Sequence, residues 1–437
     1  MKFRSLLDNK SRISFREALF RGLAPDGSLY IPEEIPPLPA ALQDADQTST
    51  LPEIASHVIA AYIDDIPLSE ILKIAERAFT FPVPLTLLEP DLYLLELFHG
   101  PTLAFKDVGA RFMASALSYF LEHDQRSLTV IVATSGDTGS AVAQGFYRVP
   151  HISVFVLYPS GKISALQELQ ITTVGENIHA IEVEGTFDDC QHLVKKALAD
   201  SELVRACNLT TANSINLGRL IPQITYYIWG LLQLRRAGSF SASQLPADIS
   251  VPSGNFGNIT AAAYAKRMGA AISSLIAASN ANTVVTDYFK TGVFSPRASV
   301  QTYSNAMDVG NPSNFARLRA LYGNDLDALR RDVFSTSISD DETLDEIRRT
   351  YEHSGHVLDP HSAVGVAAAR RFRAMHPSVR PTIIAGTAHP AKFPDVVSEA
   401  LGVSTPLPLQ LQEALHRTKQ STRVAAQYEQ IKHLLMS

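Results

Sequence analysis

The sequence predicts an α/β protein: two open, mostly parallel-sheet domains with a helical N-terminal extension. Three observations predict it. From about residue 91, short apolar runs rich in β-branched residues alternate with helical stretches, a repetition that packs helices on both faces of a parallel sheet. Glycine turns at 134–139 and 254–257 each follow such a run, one in each half of the chain. The length of 437 residues, 46% hydrophobic and 19% charged, suits a folded chain of two or three domains and excludes a disordered or collagen-like one.

Residues 1–90 are the expected extension, helical but punctuated. The stretch 21–27 holds two glycines and a proline, and Ile35-Pro36-Pro37-Leu38-Pro39 is too proline-rich for a helix or an inner strand. A small α/β domain is expected over 91–205. It opens with the apolar run 92–98 and a helix over 107–122. The unbroken run Leu128-Thr129-Val130-Ile131-Val132-Ala133 suits a strand buried on both faces, and the turn after it leads into a helix to about 147. Strands at 152–157 and 178–183 then alternate with helices at 163–173 and 187–198. A large α/β domain is expected over 206–400. It begins with a helix over 217–236, a polar linker at 238–247, a strand at 249–251, the second glycine turn, a helix to about 268 and a strand at 274–277. After a less regular span around 280–315 come a helix at 362–375 and a strand at 382–385. Residues 401–437 read as an amphipathic helical tail.

The net charge of −6, with basic residues spread along the chain, gives no electrostatic case for nucleic acid or an anionic membrane. No apolar stretch approaches the roughly 18 residues of a membrane span. Cys190 and Cys207 make neither a disulfide framework nor a zinc cluster, so no metal is expected, and a reduced compartment is simpler than a lone disulfide between them. Met1-Lys2-Phe3-Arg4-Ser5 lacks an apolar run with a small-residue cleavage site, so the expected location is cytoplasmic.

Several segments carry chemistry. Lys106, in His99-Gly100-Pro101-Thr102-Leu103-Ala104-Phe105-Lys106-Asp107, sits where a strand meets a helix. An apolar setting and a helix N-terminus lower an amine pKa, the condition for a Schiff-base nucleophile; a surface lysine paired with Asp107 is the plain alternative. Ser253-Gly254-Asn255-Phe256-Gly257-Asn258 follows a strand and opens a helix, so its backbone N–H groups either cradle a small phosphate or close a tight turn. It lacks the lysine of a P-loop and the glycine spacing of a dinucleotide fold. Thr134-Ser135-Gly136-Asp137-Thr138-Gly139 also lies at a strand C-terminus, where its hydroxyls and N–H groups suit a carboxylate or simply cap a helix. Lys162 follows the next strand, and Asn213, Ser214 and Arg219 open a helix; the two cations are phosphate ligands or solvated charges. His361 and His389 are too scattered for a metal site and read as loop or core residues.

In order, the segments HGPTLAFKD, ATSGDTG, YPSGK, ANSIN…R, SGNFGN, MDVGNPSN, DPH and GTAHPAKF resemble those of the threonine synthase family in its longer form. The resemblance runs from GLAPDGSLYIP at 22–32 to about residue 400. It implies the tryptophan-synthase-β-like fold of pyridoxal phosphate (PLP) enzymes, fold type II, and conversion of O-phospho-L-homoserine and water to L-threonine and phosphate through aldimine and ketimine intermediates. By the same resemblance Lys106 is the Schiff-base and proton-shuttling lysine. Gly254, Asn255, Phe256, Gly257 and Asn258 hold the cofactor phosphate, and Thr387 meets the pyridine nitrogen. Thr134, Ser135 and Thr138 bind the substrate carboxylate, while Lys162, Asn213, Ser214 and Arg219, with Thr138, take its phosphate. In the family's shorter form an asparagine meets the ring hydroxyl; here Asp137 matches it, and an acid there needs a proton or a bridging partner. A monomer or homodimer acting on a small molecule is expected. Another PLP lyase of this fold, such as a threonine dehydratase or a phospho-amino-acid lyase, keeps Lys106 and 254–258 but needs no Lys162, Asn213–Arg219 set. A non-catalytic scaffold has no need of Lys106.

Overall fold

Two sheets carry the fold in this computed structural model, which describes residues 1–42, 45, 48–124, 126–236, 246–377, 380–403 and 405–436. Most of the linker expected at 238–247 lies outside the described residues. In chain order the strands are β1 (Phe3–Ser5), β2 (Tyr30–Pro32), β3 (Leu85–Glu89), β4 (Leu92–Glu96), β5 (Leu128–Ala133), β6 (Ile152–Pro159), β7 (Ile178–Glu184), β8 (Leu209–Thr211), β9 (Ala247–Pro252), β10 (Ile272–Ser279), β11 (Val333–Ser337), β12 (Thr382–Gly386) and β13 (Thr422–Ala425). One sheet has six strands in the order β11-β10-β9-β12-β4-β3 and the other five in the order β13-β7-β6-β5-β8, while β1 and β2 pair by themselves. Every pairing in the two large sheets is parallel except β3 with β4.

The apolar run at 128–133 is buried on both faces, as its composition requires. Val130 and Val132 pack into the largest core cluster, whereas Ile131 and Ala133 pack into a second one with Leu193 and Val194. β4 is shared in the same way, with Leu95 in the largest cluster and Leu92 and Leu94 in a third that also holds Ile384 of β12. Alternate side chains pointing to opposite faces explain the unbroken hydrophobic pattern.

Strand membership crosses the boundaries expected at 90, 205 and 400. β3 and β4 belong to the six-stranded sheet of the later half, because β4 lies beside β12 with Leu94 next to Ile384. β8 and β13 belong to the five-stranded sheet. The expected helical tail is therefore helix, strand and helix: Leu409–Leu415, β13 and Tyr428–Met436. Val424, Ile431 and Leu435 anchor it in the second cluster. The helix expected over 217–236 is broken into Leu217–Leu220 and Gln223–Arg236, with Pro222 between them; a proline has no N–H to continue the ladder. Among the described residues no helix is long and apolar enough to cross a membrane.

Candidate active site

The loops that leave the C-terminal ends of β4, β5, β9 and β12 converge on one cleft, the usual place for a ligand in an open α/β sheet. Lys106 is the first residue of the Lys106–Asp124 helix. The chain reaches it from β4 by a segment laced to the one after β12. Leu97 N–H donates to the Gly386 carbonyl at 2.9 Å, Phe105 N–H to the Thr387 carbonyl at 2.9 Å, and His389 N–H to the Leu103 carbonyl at 3.0 Å. The motifs at 99–107 and 386–393, distant in sequence, thus form one rigid wall.

The Lys106 side chain is 15% exposed and its Nζ lies 3.8 Å from Asp137 Oδ2. Burial lowers its pKa to about 8, with Lys392 and Arg219 adding to the effect and Asp137 opposing it. Pairing with Asp107 is not what the structure shows. The buried Asp107 carboxylate accepts the Thr102 hydroxyl at 2.6 Å and the Thr102 N–H at 2.9 Å, and burial pushes its pKa up to about 6.

The loop 253–258 opens the Gly257–Met268 helix with Phe256 at φ 60°, and no side chain caps that helix. Gly257 and Asn258, whose N–H groups open the helix, line the cleft, and among the described residues no side chain caps them. A Cβ on Gly254 would stand 2.7 Å from the Met307 Cα, so only glycine allows this approach. Asn258 is buried, and its Oδ1 accepts the Tyr227 hydroxyl at 2.5 Å with the Tyr226 hydroxyl against the same oxygen. Among the described residues its Nδ2 is buried without a hydrogen-bond partner. Asn255 stitches the loop to its neighbours: Nδ2 donates to Ser214 Oγ at 2.7 Å and Oδ1 accepts the Ser313 N–H at 2.6 Å. Thr387 is 5% exposed and lines the cleft at the end of β12, the parallel neighbour of this loop's strand β9.

At 134–139 the roles divide. Thr134 Oγ1 accepts the N–H groups of Gly136 and Gly139 at 2.9 and 2.7 Å and donates to the Gly136 carbonyl at 3.0 Å. Its hydroxyl shapes the turn and is spent there, contrary to the expectation of a carboxylate ligand. Ser135 and Thr138 line the cleft and keep their hydroxyls available among the described residues. Gly136 adopts φ 133° where the Gln167 side chain fills the space a Cβ would need. Asp137 is bridged, as an acid here requires: its Oδ1 accepts Lys392 Nζ at 2.7 Å and Gln167 Nε2 at 2.9 Å.

Arg219 is 3% exposed; Nη1 donates to the Ala212 carbonyl at 2.6 Å, while its Nε is buried without a partner. Burial draws its pKa down to about 10 with the Asp107 charge opposing, and among the described residues no carboxylate makes an ion pair with it. Ser214 and Thr138 line the cleft as well. Asn213 lines it too, but its amide is engaged with the backbone of Ala133, donating to the carbonyl at 2.8 Å and accepting the N–H at 3.2 Å. It positions the end of β5 more than it offers a ligand.

Lys162 is the one expected site residue that the cleft does not contain. It is exposed, on a turn that Gly161 closes with φ 66°, and its charge faces Asp189. Lys195 of the Phe187–Ala199 helix lines the cleft instead. His361 also lines it, with Nδ1 2.7 Å from Asp359 Oδ2 and Nε2 accepting the Ala306 N–H at 3.1 Å, so both ring nitrogens are committed. Sequence reasoning missed Lys392, Gln167, Lys195 and the Tyr226–Tyr227 pair. Of these only Lys392 carried a signal, as the single charge in the segment Gly386-Thr387-Ala388-His389-Pro390-Ala391-Lys392-Phe393. Among the described residues no cluster of His, Cys, Asp or Glu could hold a metal ion.

A family model described as pyridoxal-phosphate dependent enzyme matches residues 81–383, and models for the threonine synthase N terminus and C-terminal region match 2–79 and 362–435. The threonine synthase of Escherichia coli (strain K12) is 39% identical over 443 residues, spanning 100% of each chain. That of Schizosaccharomyces pombe is 38% identical, covering 92% of this chain and 89% of its own length. The crystal structure of the Escherichia coli threonine synthase matches with a TM-score of 0.91 at 37% identity, over 100% of this chain and 99% of that one. The PLP-bound threonine synthase from Brucella melitensis matches with a TM-score of 0.91 at 35% identity over the same shares.

Proposed function

Because the chain belongs to the threonine synthase family of PLP-dependent enzymes, we propose that this cleft converts O-phospho-L-homoserine and water to L-threonine and phosphate. The enzyme is a PLP-dependent lyase of fold type II. The residues fit the cofactor. Asn258 Nδ2 and the uncapped start of the Gly257–Met268 helix are donors in search of an anion, Gly254 leaves room for a phosphate, and Lys106 provides an amine of lowered pKa. Gly254, Asn255, Phe256, Gly257 and Asn258 hold the cofactor phosphate in this reading, Thr387 meets its ring nitrogen, and Lys106 attaches it.

When bound, PLP supplies an electron sink for charge that develops on the substrate carbons. The chain's own residues supply the rest. Ser135 and Thr138 orient the substrate carboxylate. Arg219 and Ser214 hold the substrate phosphate, so the Cγ–O bond that breaks is fixed in direction and the departing dianion meets a guanidinium. Lys106 Nζ takes the protons from Cα and Cβ and returns protons to Cγ and Cα, for which a pKa of about 8 is suited, and water adds at Cβ.

The observation that carries the substrate is Arg219, a buried guanidinium that makes no ion pair among the described residues and is faced only by the Asp107 charge, which Thr102 already holds, on an element separate from the 253–258 loop. A second buried cation calls for a second anion, since leaving it unpaired is costly. A lyase acting on serine or threonine has no such anion to offer. Product analysis after incubation with O-phospho-L-homoserine tests the proposal: threonine and phosphate should appear together, and 2-oxobutanoate in place of threonine would defeat it. We infer further that the enzyme works in the cytoplasm as a monomer or homodimer, with no nucleic-acid or membrane partner.

A further inference from the structure

We propose that Lys392 is a positioning residue of this site: by pairing with Asp137 it keeps that carboxylate ionised and turned towards Lys106, and it leaves the Lys106 amine free to bond the cofactor. The inference rests on the reading of Lys106 as the cofactor lysine.

Lys392 ends the short Pro390–Lys392 turn after β12, and its side chain is 0% exposed. A buried ammonium needs its charge and protons satisfied. Its Nζ donates to Asp137 Oδ1 at 2.7 Å and to the Thr102 carbonyl at 2.9 Å, in the turn just before Lys106. Gln167 Nε2 donates to the same Oδ1 at 2.9 Å. Two donors on Oδ1 fix the plane of the carboxylate and leave Oδ2 facing Lys106 Nζ at 3.8 Å.

The charges around this point are few. Asp137 is faced by Lys392 from the turn, Lys106 from the head of its helix and His361 from the Pro360–Met375 helix. Burial works to protonate Asp137, but Lys392 and then Lys106 hold its carboxyl well below the usual range. Lys106 is faced by Asp137, Lys392 and Arg219, while Asp107 is turned on to Thr102. Without the Lys392 charge, Lys106 would remain as the cation at hand for a buried carboxylate. The proton would then stay on Lys106, where it blocks attack, because only the neutral amine is a nucleophile. With Lys392 present, the Asp137 charge is shared between two ammonium groups, so its second oxygen orients Lys106 with a weaker hold on the proton.

The test reads Lys106 in the cofactor-free protein, by the pH dependence of its acylation followed by peptide mass spectrometry. The wild-type midpoint should lie near pH 8. In Lys392→Met it should move up by about one pH unit, leaving about tenfold less neutral amine at pH 7. Asp137→Asn should move it down, because Lys392 and Arg219 then repel the Lys106 charge unopposed. Asp137→Asn/Lys392→Met should return it towards the wild-type value, a rescue that loss of packing would not give. An unmoved or lowered midpoint in Lys392→Met overturns the inference; should that variant fail to fold, an unmoved or raised midpoint in Asp137→Asn overturns it equally. Borohydride reduction of the PLP-loaded wild type separates the two levels. If the cofactor is not fixed on Lys106, the reading of the site falls and this inference with it; if it is fixed and the variants do not shift, only the role of Lys392 falls.

Discussion

The Tyr227 hydroxyl donates to Asn258 Oδ1 at 2.5 Å, and that contact decides which way the amide faces. With Oδ1 turned to the tyrosines, Nδ2 is left as a buried donor without a protein partner, at the start of a helix that no side chain caps. The amide proposed to bind the cofactor phosphate is thus aimed by a residue of the Gln223–Arg236 helix that itself only supports the loop.

Asn258→Asp should therefore weaken PLP binding by about 10- to 100-fold, since a charge-assisted hydrogen bond is worth about 1.5–3 kcal/mol and the new carboxylate also repels a phosphate. Tyr227→Phe should cost less, about three- to tenfold. Absorbance titration of the cofactor-free protein measures both. Equal affinities in all three proteins would mean that the phosphate sits elsewhere.

Attachment of PLP to the cofactor-free protein should speed up as pH rises through about 8 and level off above it. The sign follows from the amine: the neutral form attacks, and it predominates above the lowered pKa. Stopped-flow absorbance across pH 6–10 at about constant ionic strength would read this. A rate that climbs only near pH 10 would mean that Lys106 behaves as an ordinary exposed lysine.

Gly109 provides a remote handle on Arg219. A Cβ there would lie 2.7 Å from the Arg219 carbonyl oxygen and 3.0 Å from its Nε, so Gly109→Ala must displace the arginine. We expect Gly109→Ala and Arg219→Lys to lower kcat/KM for O-phospho-L-homoserine by about 10- to 100-fold, because the bidentate fork is lost or misplaced. Slow dehydration of serine, which carries no phosphate, should be spared. Parallel losses on both substrates would show that the arginine serves the fold.

The two lysines near the cleft should behave oppositely to their order in the sequence motifs. Lys162→Ala should leave KM within about twofold, as exposed charges contribute about 0–1 kcal/mol. Lys195→Ala should raise KM for the phosphorylated substrate by about two- to fivefold, with an effect that shrinks in high salt. Steady-state kinetics at two ionic strengths would distinguish them.

Most of the cleft was legible in the sequence because its segments follow strands. Apolar runs locate the strand ends, and open sheets place ligands there. What escaped were contacts that depend on where a turn points. Lys162 follows the end of β6 by three residues, yet Gly161 at φ 66° turns it outwards, and no residue count reveals that. Lys195 looks like part of a solvated helix face because its helix has one. Asp137 and Lys392 meet across 255 residues, so their pairing required both sheets to be in place. Thr134 and Asn213 have the right chemistry for ligands, but backbone groups claim them first, those of its own turn for Thr134 and that of Ala133, 80 residues away, for Asn213. β13 was invisible because four residues with one buried side chain, Val424, make no alternating pattern.

The most direct test of the account is to run the PLP-loaded enzyme on O-phospho-L-homoserine in ¹⁸O-labelled water and analyse both products by mass spectrometry. Phosphate leaves Cγ and water then adds at Cβ, so threonine and phosphate should form in equal amounts, with the label in the threonine hydroxyl and none in the phosphate. Label in the phosphate, with homoserine as the co-product, would mean simple ester hydrolysis and would contradict it.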